Sequence, residues 1–66
     1  MNNYYVNNKS QPTGEHEVHK ESCIHLPTDR INLGVFFNCK DAVAAAKSYY
    51  SNVDGCFWCS RDCHTR

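Results

Sequence analysis

The clearest pattern of apolar and polar positions lies in the middle of the chain, at residues 31–37. Ile31, Leu33 and Val35 alternate with other residues, which predicts a strand carrying these three side chains on one face. Gly34 interrupts the segment and indicates a bulge or a close approach of another backbone.

A helix is predicted directly after this strand. Asn38 is a preferred N-cap residue, and the carboxylate of Asp41 suits the positive end of a helix. Residues 39–50 are rich in alanine and contain neither glycine nor proline, which favours a helix of about three turns. Two adjoining stripes of this helix are expected to lie on a small sheet: Val43, Ala46 and Tyr50, and Ala42, Ala45 and Tyr49.

Two more strands are predicted before residue 20. Residues 4–6 are apolar and are expected to form an edge strand, with a mobile terminus as the alternative, while residues 15–19 alternate in character. A hairpin between residues 4–6 and 17–19 follows, with turn formers such as Pro12 and Gly14 in its loop. The predicted fold class is α+β, a small two- to three-stranded antiparallel sheet packed against one main helix. Residues 1–14 are the N-terminal strand and loop, and residues 15–66 form a single small domain.

The length of the chain indicates that the fold needs support beyond its apolar core. A domain of 66 residues buries only about 60% of its unfolded surface, and such domains are usually held by disulfides, a metal or a partner. Five cysteines in this length are typical of either a disulfide scaffold or a metal site.

Four residues form the predicted metal site. Cys56 and Cys59 have the Cys-x-x-Cys spacing that lets two sulfurs reach one ion from a single turn. His19 and Cys23 are four residues apart and supply the second pair, so we expect a closed structural Zn²⁺ site that ties down the C-terminal turn. The alternates are Cys63 and His64, either of which can replace His19 or Cys23.

The expected cellular compartment indicates whether the cysteines bind a metal or form disulfides. Residues 1–8 are polar and contain no secretory h-region, and no apolar run reaches the ~20 residues that span a bilayer. We therefore expect a cytoplasmic protein with five reduced thiols. The alternative is a disulfide-stapled small protein outside the cytoplasm, which leaves one thiol over because the cysteine count is odd.

The balance of charged residues indicates which class of binding partner to expect. Seven basic and seven acidic side chains cancel, so no bulk field attracts nucleic acid or acidic membranes. A protein partner is expected ahead of a nucleic acid, and a Trp58 exposed beside the metal would strengthen that expectation.

At residues 17–60 the chain resembles a known family. The pattern His-x-x-x-Cys, a strand, a helix with Asp-Ala-Val-Ala-Ala-Ala and then Gly-Cys-x-x-Cys looks like the N-terminal zinc-binding domain of bacterial Ada methyl-phosphotriester repair proteins and its small relatives. The whole chain also resembles small bacterial proteins that end in Cys-His-Thr. The resemblance implies a zinc site on a small α/β scaffold with His19, Cys23, Cys56 and Cys59 as ligands.

One departure from the family bears on chemistry. The first cysteine of the family's Cys-x-x-x-Cys accepts the methyl group, and His19 stands at that position here. Since the nucleophilic thiolate is missing, methyl transfer by the family mechanism is not expected. The chain shows no other catalytic arrangement, so we expect a non-catalytic interaction module. A thiol enzyme or dithiol redox protein built on the Cys-x-x-Cys is the remaining alternative.

Three other residues have less specific roles. Cys39 is expected to be a small buried core residue, although a thiol at a helix N-terminus can have a lowered pKa. His16 and His25 are expected to be surface histidines.

Overall fold

The computed structural model describes residues 1–65, so Arg66, the last residue of the predicted 15–66 domain, lies outside the described residues. Within the described range the elements are β1 (Asn2–Asn7), β2 (His16–Lys20), β3 (Arg30–Phe36), α1 (Cys39–Ala46), β4 (Val53–Gly55) and a 3-10 turn, Arg61–Cys63. The strands form one sheet in the order β3-β1-β2-β4, and α1 packs against it. The predicted α+β class, a small sheet on one main helix, is confirmed.

The first strand occupies the middle of the sheet. β1 pairs antiparallel with β2, with Tyr5 opposite His19, which confirms the predicted hairpin. β1 also pairs antiparallel with β3, so the prediction of an edge strand at residues 4–6 is wrong. The reason is burial, because Tyr4 and Val6 are 1% and 0% exposed and lie under the helix. The buried core cluster is completed by residues of β2 and α1: Val18, Ala42 and Ala46.

A bulge interrupts the pairing of β1 with β3. Tyr4 lies opposite Gly34 while the next residue, Tyr5, lies opposite Asn32, so Leu33 is the extra residue. Gly34 has φ +109°, a conformation that side chains disfavour, which explains why glycine occupies this position. The bulge predicted at Gly34 is confirmed.

The helix begins where the sequence predicts and ends earlier. The Asn38 side chain accepts a hydrogen bond from the backbone N–H of Asp41 at 2.9 Å, which caps the first turn. Beyond Ala46 the backbone N–H groups of Lys47, Ser48 and Tyr49 bond to carbonyls three residues back, which tightens the chain out of the α-helix. As a result Tyr49 lies beyond the helix and is 54% exposed. The predicted helix stripe of Ala42, Ala45 and Tyr49 therefore does not include Tyr49.

The fourth strand, β4, is one that the sequence analysis did not predict. It runs parallel to β2, with Glu17 opposite Asp54 and Val18 opposite Gly55. Two neighbouring parallel strands end at the same edge of the sheet, so the segments that follow β2 and β4 lie side by side. This edge carries the site described below.

A disulfide closes the fold on the helix side. The sulfur of Cys39, the first residue of α1, is bonded to that of Cys63 in the 3-10 turn. Cys39 is half-buried and takes part in a disulfide. The prediction that it is a small buried core residue is therefore wrong. The bond joins the start of the helix to the segment that follows β4.

Candidate metal centre

The parallel pairing of β2 and β4 positions the first two candidate ligands. Since Val18 lies beside Gly55, the next residues, His19 and Cys56, follow at the same edge of the sheet. The backbone N–H of Cys56 donates to the carbonyl of Val18 at 2.9 Å and continues the ladder by one step. Both side chains are buried, with His19 2% and Cys56 1% exposed.

Two short turns bring in the second pair. After β2 the backbone N–H of Cys23 donates to the carbonyl of Lys20 at 3.1 Å, which folds Cys23 back toward the strand end. After β4 the backbone N–H of Ser60 donates to the carbonyl of Cys56 at 2.9 Å, which closes the Cys-x-x-Cys turn around Cys59. Each ligand pair thus consists of one residue at a strand end and one in the following turn.

The four side chains meet in one cluster. One ligand atom from each of His19, Cys23, Cys56 and Cys59 lies within 4.8 Å of the other three. The sulfurs of Cys23 and Cys56 are 3.9 Å apart. Sulfurs bound at about 2.3 Å from one ion at tetrahedral angles stand roughly 3.8 Å apart, so this spacing matches a shared metal ion.

Backbone amides hold two of the sulfurs in place. The N–H of Lys20 donates to Sγ of Cys59 at 3.2 Å, and the N–H of His25 donates to Sγ of Cys23 at 3.4 Å. Such bonds favour the thiolate over the thiol and restrict its direction. The donors are the last residue of β2 and a residue of the turn after it, so both halves of the cluster are oriented by the same segment.

The imidazole of His19 provides the test of whether a metal fits. Both ring nitrogens are buried and have no hydrogen-bond partner among the described residues. Nε2 lies 3.7 Å from Oε1 of Glu17, which is beyond hydrogen-bond distance. A buried ring without a partner is costly, and a cation held by the ring and the three sulfurs would remove that cost. The donor set therefore fits a metal ion.

The three thiols do not ionise alike. Burial opposes ionisation of Cys59, but the adjacent His19 ring, the backbone N–H of Lys20 and its other neighbours outweigh it and lower the pKa to about 6. Burial, together with the hydrogen bond to Cys59, raises the pKa of Cys23 to about 12. Burial also raises the pKa of Cys56. The cluster thus accepts one negative charge readily and resists the second and third unless a cation is added.

The alternates do not join the cluster. Cys63 is bonded to Cys39 and is not available as a ligand. Nδ1 of His64 lies 3.0 Å from the carbonyl of Gly55 and 3.2 Å from Oδ2 of Asp54. The carbonyl is the hydrogen-bond partner, and the carboxylate adds a charge beside the ring.

The five cysteines match neither the metal prediction nor the disulfide prediction in full. Cys39 and Cys63 are bonded, and Cys23, Cys56 and Cys59 are free. The expectation of five reduced thiols is therefore wrong for this structure, and so is that of two disulfides. Cysteine number and spacing cannot reveal which sulfurs meet, because pairing depends on the tertiary fold.

The remaining histidines are placed differently from each other. His25 is exposed, as predicted for a surface residue, and its ring centroid lies 5.5 Å from that of Trp58. His16 is half-buried and stacks on Tyr50 at 3.6 Å between ring centroids, so it is not a free surface histidine. The flat stack is possible because β2 places His16 on the helix face.

Sequence analysis missed one functional group, the carboxylate of Asp54. This side chain is 2% exposed, and its Oδ1 accepts hydrogen bonds from the backbone N–H and the hydroxyl of Thr65 at 3.0 and 2.9 Å. It anchors the chain beyond the Cys-x-x-Cys turn. No sequence signal marks it, since an acid in a three-residue strand looks like a turn residue.

The outer side of the Cys-x-x-Cys turn is aromatic. Trp58 is 69% exposed and Phe57 is 37% exposed, with their rings perpendicular and 5.0 Å apart. Ile24, in the turn that carries Cys23, is 89% exposed. The residues next to the cluster thus present apolar surface to solvent.

Comparisons with protein-family models, curated proteins and solved structures found no match for this chain. Within residues 1–65 no helix combines the length and the apolar character that crossing a membrane requires.

Proposed function

We propose that this chain is a small structural zinc-binding module that uses its metal to support a protein-interaction surface and catalyses no reaction. The observation that supports the proposal is the cluster itself: four ligand atoms lie within 4.8 Å of one another, and one belongs to a buried imidazole whose nitrogens have no hydrogen-bond partner within residues 1–65. A bound zinc ion would neutralise thiolate charge and add binding free energy to folding.

The donor set favours zinc among the common metal ions. Three sulfurs and one imidazole suit a tetrahedral, borderline-soft ion, whereas calcium and magnesium prefer oxygen ligands. All four positions of a tetrahedron are supplied by the chain, which leaves none for a water or a substrate. A closed structural site is the consequence.

The same geometry fits the proposed kinship with the Ada-like zinc domain. The ligand pairs follow two strands of a small sheet with one helix, and His19 takes the position of the methyl-accepting cysteine. A neutral imidazole at that position completes the coordination without offering a thiolate to a methyl donor. The module is therefore proposed as a binding domain that lacks the repair chemistry.

A protein is the proposed partner, because Trp58 and Ile24 expose apolar surface beside the cluster while the chain carries no net charge. The proposed compartment is the cytoplasm, where bound metal protects the three cluster thiols. The Cys39–Cys63 bond tests this placement, because a reducing compartment keeps such pairs open. Five reduced thiols in protein taken from cells support the cytoplasm, and three contradict it.

Native mass spectrometry compared with the denatured mass tests the metal site. The expected result is one zinc ion per chain in the native spectrum and no zinc after denaturation. Cobalt substitution adds a second readout, because tetrahedral thiolate ligation gives intense charge-transfer bands. A native mass without metal, for protein prepared with excess zinc, would contradict the proposal.

Variants locate the ligands. Cys56→Ser, Cys23→Ser and His19→Ala are expected to lose zinc, whereas His19→Cys is expected to keep it because four thiolates also bind zinc tetrahedrally. His25→Ala is the matched control, since His25 is exposed and lies next to the cluster without belonging to it. Equal zinc retention by His19→Ala and His25→Ala would remove His19 from the site.

A second candidate function, a dithiol redox protein, has one observation in its favour. Burial opposes ionisation of Cys59, but the adjacent His19 ring and the backbone N–H of Lys20 lower its pKa to about 6, which makes it a reactive thiolate in metal-free protein. Timed alkylation separates the functions. Rapid modification of Cys59 in zinc-loaded protein supports a redox role, and full protection supports the structural site.

A further inference from the structure

A cavity of about 320 Å³ opens next to the metal cluster, on the side of Glu17. Trp58, Phe57 and His25 contribute aromatic walls, and His19 and Cys56 belong to the cluster side. Glu17 supplies the carboxylate in this lining. The cavity thus combines aromatic rings with an acid, and it is distinct from the four ligand positions.

The charged groups that line the cavity have one sign. Three thiolates, one neutral imidazole and a zinc ion carry a net charge of minus one, and Glu17 adds another negative charge. Among the described residues that line the cavity there is neither a lysine nor an arginine to balance them. Although the whole chain is neutral, this site favours a cation.

The aromatic walls favour the same kind of ligand. The faces of indole and phenyl rings attract cations, and indole does so most strongly. The molecule already shows this attraction at Phe57, since the guanidinium of Arg61 lies 4.8 Å from the centre of that ring. Trp58 is 69% exposed and has no such partner among the described residues.

The carboxylate selects among cations. Oε1 of Glu17 accepts a hydrogen bond from Nε2 of Gln11 at 3.0 Å, which leaves Oε2 without a hydrogen-bond partner in the described residues. A single acceptor oxygen suits the compact ammonium of lysine better than the two-pronged guanidinium of arginine, which prefers both oxygens.

From these observations we propose that the cavity binds the ammonium group of a lysine side chain presented by a partner protein, with Trp58 packing against the lysine methylenes and Glu17 accepting its hydrogen bond. The inference rests on the proposed function, because it identifies the chemistry of the partner of the same module. Ile24 is exposed and lines a neighbouring pocket together with Trp58, so it would contact the partner backbone next to that lysine.

The test is an NMR titration of the ¹⁵N-labelled chain with a capped Gly-Lys-Gly peptide, after zinc content has been measured by native mass spectrometry. Saturable shifts of the Trp58 indole N–H and of Glu17 are expected, and the same peptide with acetylated lysine is expected to cause none. Equal binding of the acetylated peptide would overturn the proposal, since it carries no charge. Butylammonium binding as tightly as the peptide would also overturn it, because the peptide backbone would then contribute nothing.

Matched variants complete the test. Trp58→Leu keeps apolar bulk without a π face, and Glu17→Gln keeps an amide in place of the carboxylate. Both are expected to weaken peptide binding at least about fivefold with zinc retained. The controls Phe37→Leu and Glu21→Gln change an exposed aromatic and an exposed acid outside the cavity and are expected to bind normally. Unchanged affinity in Trp58→Leu and Glu17→Gln would overturn the cation site.

Different results would contradict the proposed zinc site and the proposed lysine-binding cavity. Absence of zinc in the native spectrum overturns the structural metal site. The titration is run on the chain whatever metal it carries, since the walls of the cavity come from Trp58 and Glu17. Loss of lysine binding in a chain that holds zinc therefore overturns the cation site alone.

Discussion

Val18 and Gly55 lie side by side in the parallel pair of β2 and β4, and this contact sets the position of the whole cluster. One step further along each strand come His19 and Cys56, the two buried members. A shift of register by one residue would turn one of these side chains to the other face of the sheet. The pairing of a three-residue strand therefore decides whether a metal site exists.

Gly55 is expected to tolerate no side chain. A Cβ atom at this position would lie 2.7 Å from Cβ of Cys63 and 2.7 Å from the carbonyl oxygen of Ser60. Gly55→Ala should therefore lower the free energy of unfolding by about 1–3 kcal/mol and weaken zinc binding. Urea denaturation measures the first effect and competition with a chelator measures the second. Ser51→Ala, at an exposed position before β4, is the control and should behave as the parent chain.

The disulfide and the metal cluster are expected to act independently. The Cys39–Cys63 bond closes a loop with a sequence separation of 24, which should contribute about 3 kcal/mol by restricting the unfolded chain. The double variant Cys39→Ala, Cys63→Ala should lose about that much stability in urea and still bind one zinc ion. Loss of zinc in the double variant would show instead that the disulfide is needed to form the cluster.

Asp54 should contribute more to stability than the exposed Asp62. Asp54→Ala removes a buried acceptor from the backbone N–H and the hydroxyl of Thr65, which should cost about 2 kcal/mol. Asp62→Ala should cost less than about 0.5 kcal/mol, as surface changes usually do. Thermal unfolding of the two zinc-loaded variants compares them directly. Equal melting temperatures would mean that Asp54 does not anchor the segment beyond β4.

The metal-free protein should gain stability as the pH rises from about 6 to about 9. Burial raises the pKa of Cys59, but the adjacent His19 ring and the backbone N–H of Lys20 outweigh it and lower that pKa from 9.0 to about 6, so in this window the unfolded chain binds more protons. That contribution is lost as the pH falls through 6. Burial raises the pKa of Cys23 from 9.0 to about 12, so its contribution is present below 9 and is lost above it.

Urea midpoints of chelator-treated protein at several pH values measure this dependence. Cys59→Ser should remove the rise between about 6 and 9. A rise of the same size in Cys59→Ser would assign the pH dependence to another group.

Local patterns predicted those parts of the fold whose causes are local. The cap at Asn38 depends on a residue three positions away, and the bulge at Gly34 depends on a glycine within its own strand. The hairpin of β1 and β2 joins neighbours along the chain. Each of these features leaves a signal in a short window of sequence.

Long-range contacts explain the rest. The three residues of β4 are too few to show a period, and their parallel partner β2 lies far away along the chain. The Cys39–Cys63 bond follows from that placement and could not be read from spacing. The cluster is different, because His19, Cys23, Cys56 and Cys59 are two pairs with spacing typical of metal ligands, and the fold brings the same four together.

The bulge at Gly34, whose extra residue is Leu33, also affects how the molecule behaves toward its own copies. β3 is an outer strand, and a long flat outer strand is a template for pairing with other chains. The bulge breaks the regular spacing of its hydrogen-bonding groups, and Oδ1 of Asn32 accepts a bond from the backbone N–H of Gly34 at 2.9 Å. A chain with no net charge has little electrostatic repulsion to keep copies apart. In this protein the irregular backbone of β3 disfavours pairing of this outer strand with strands of other copies.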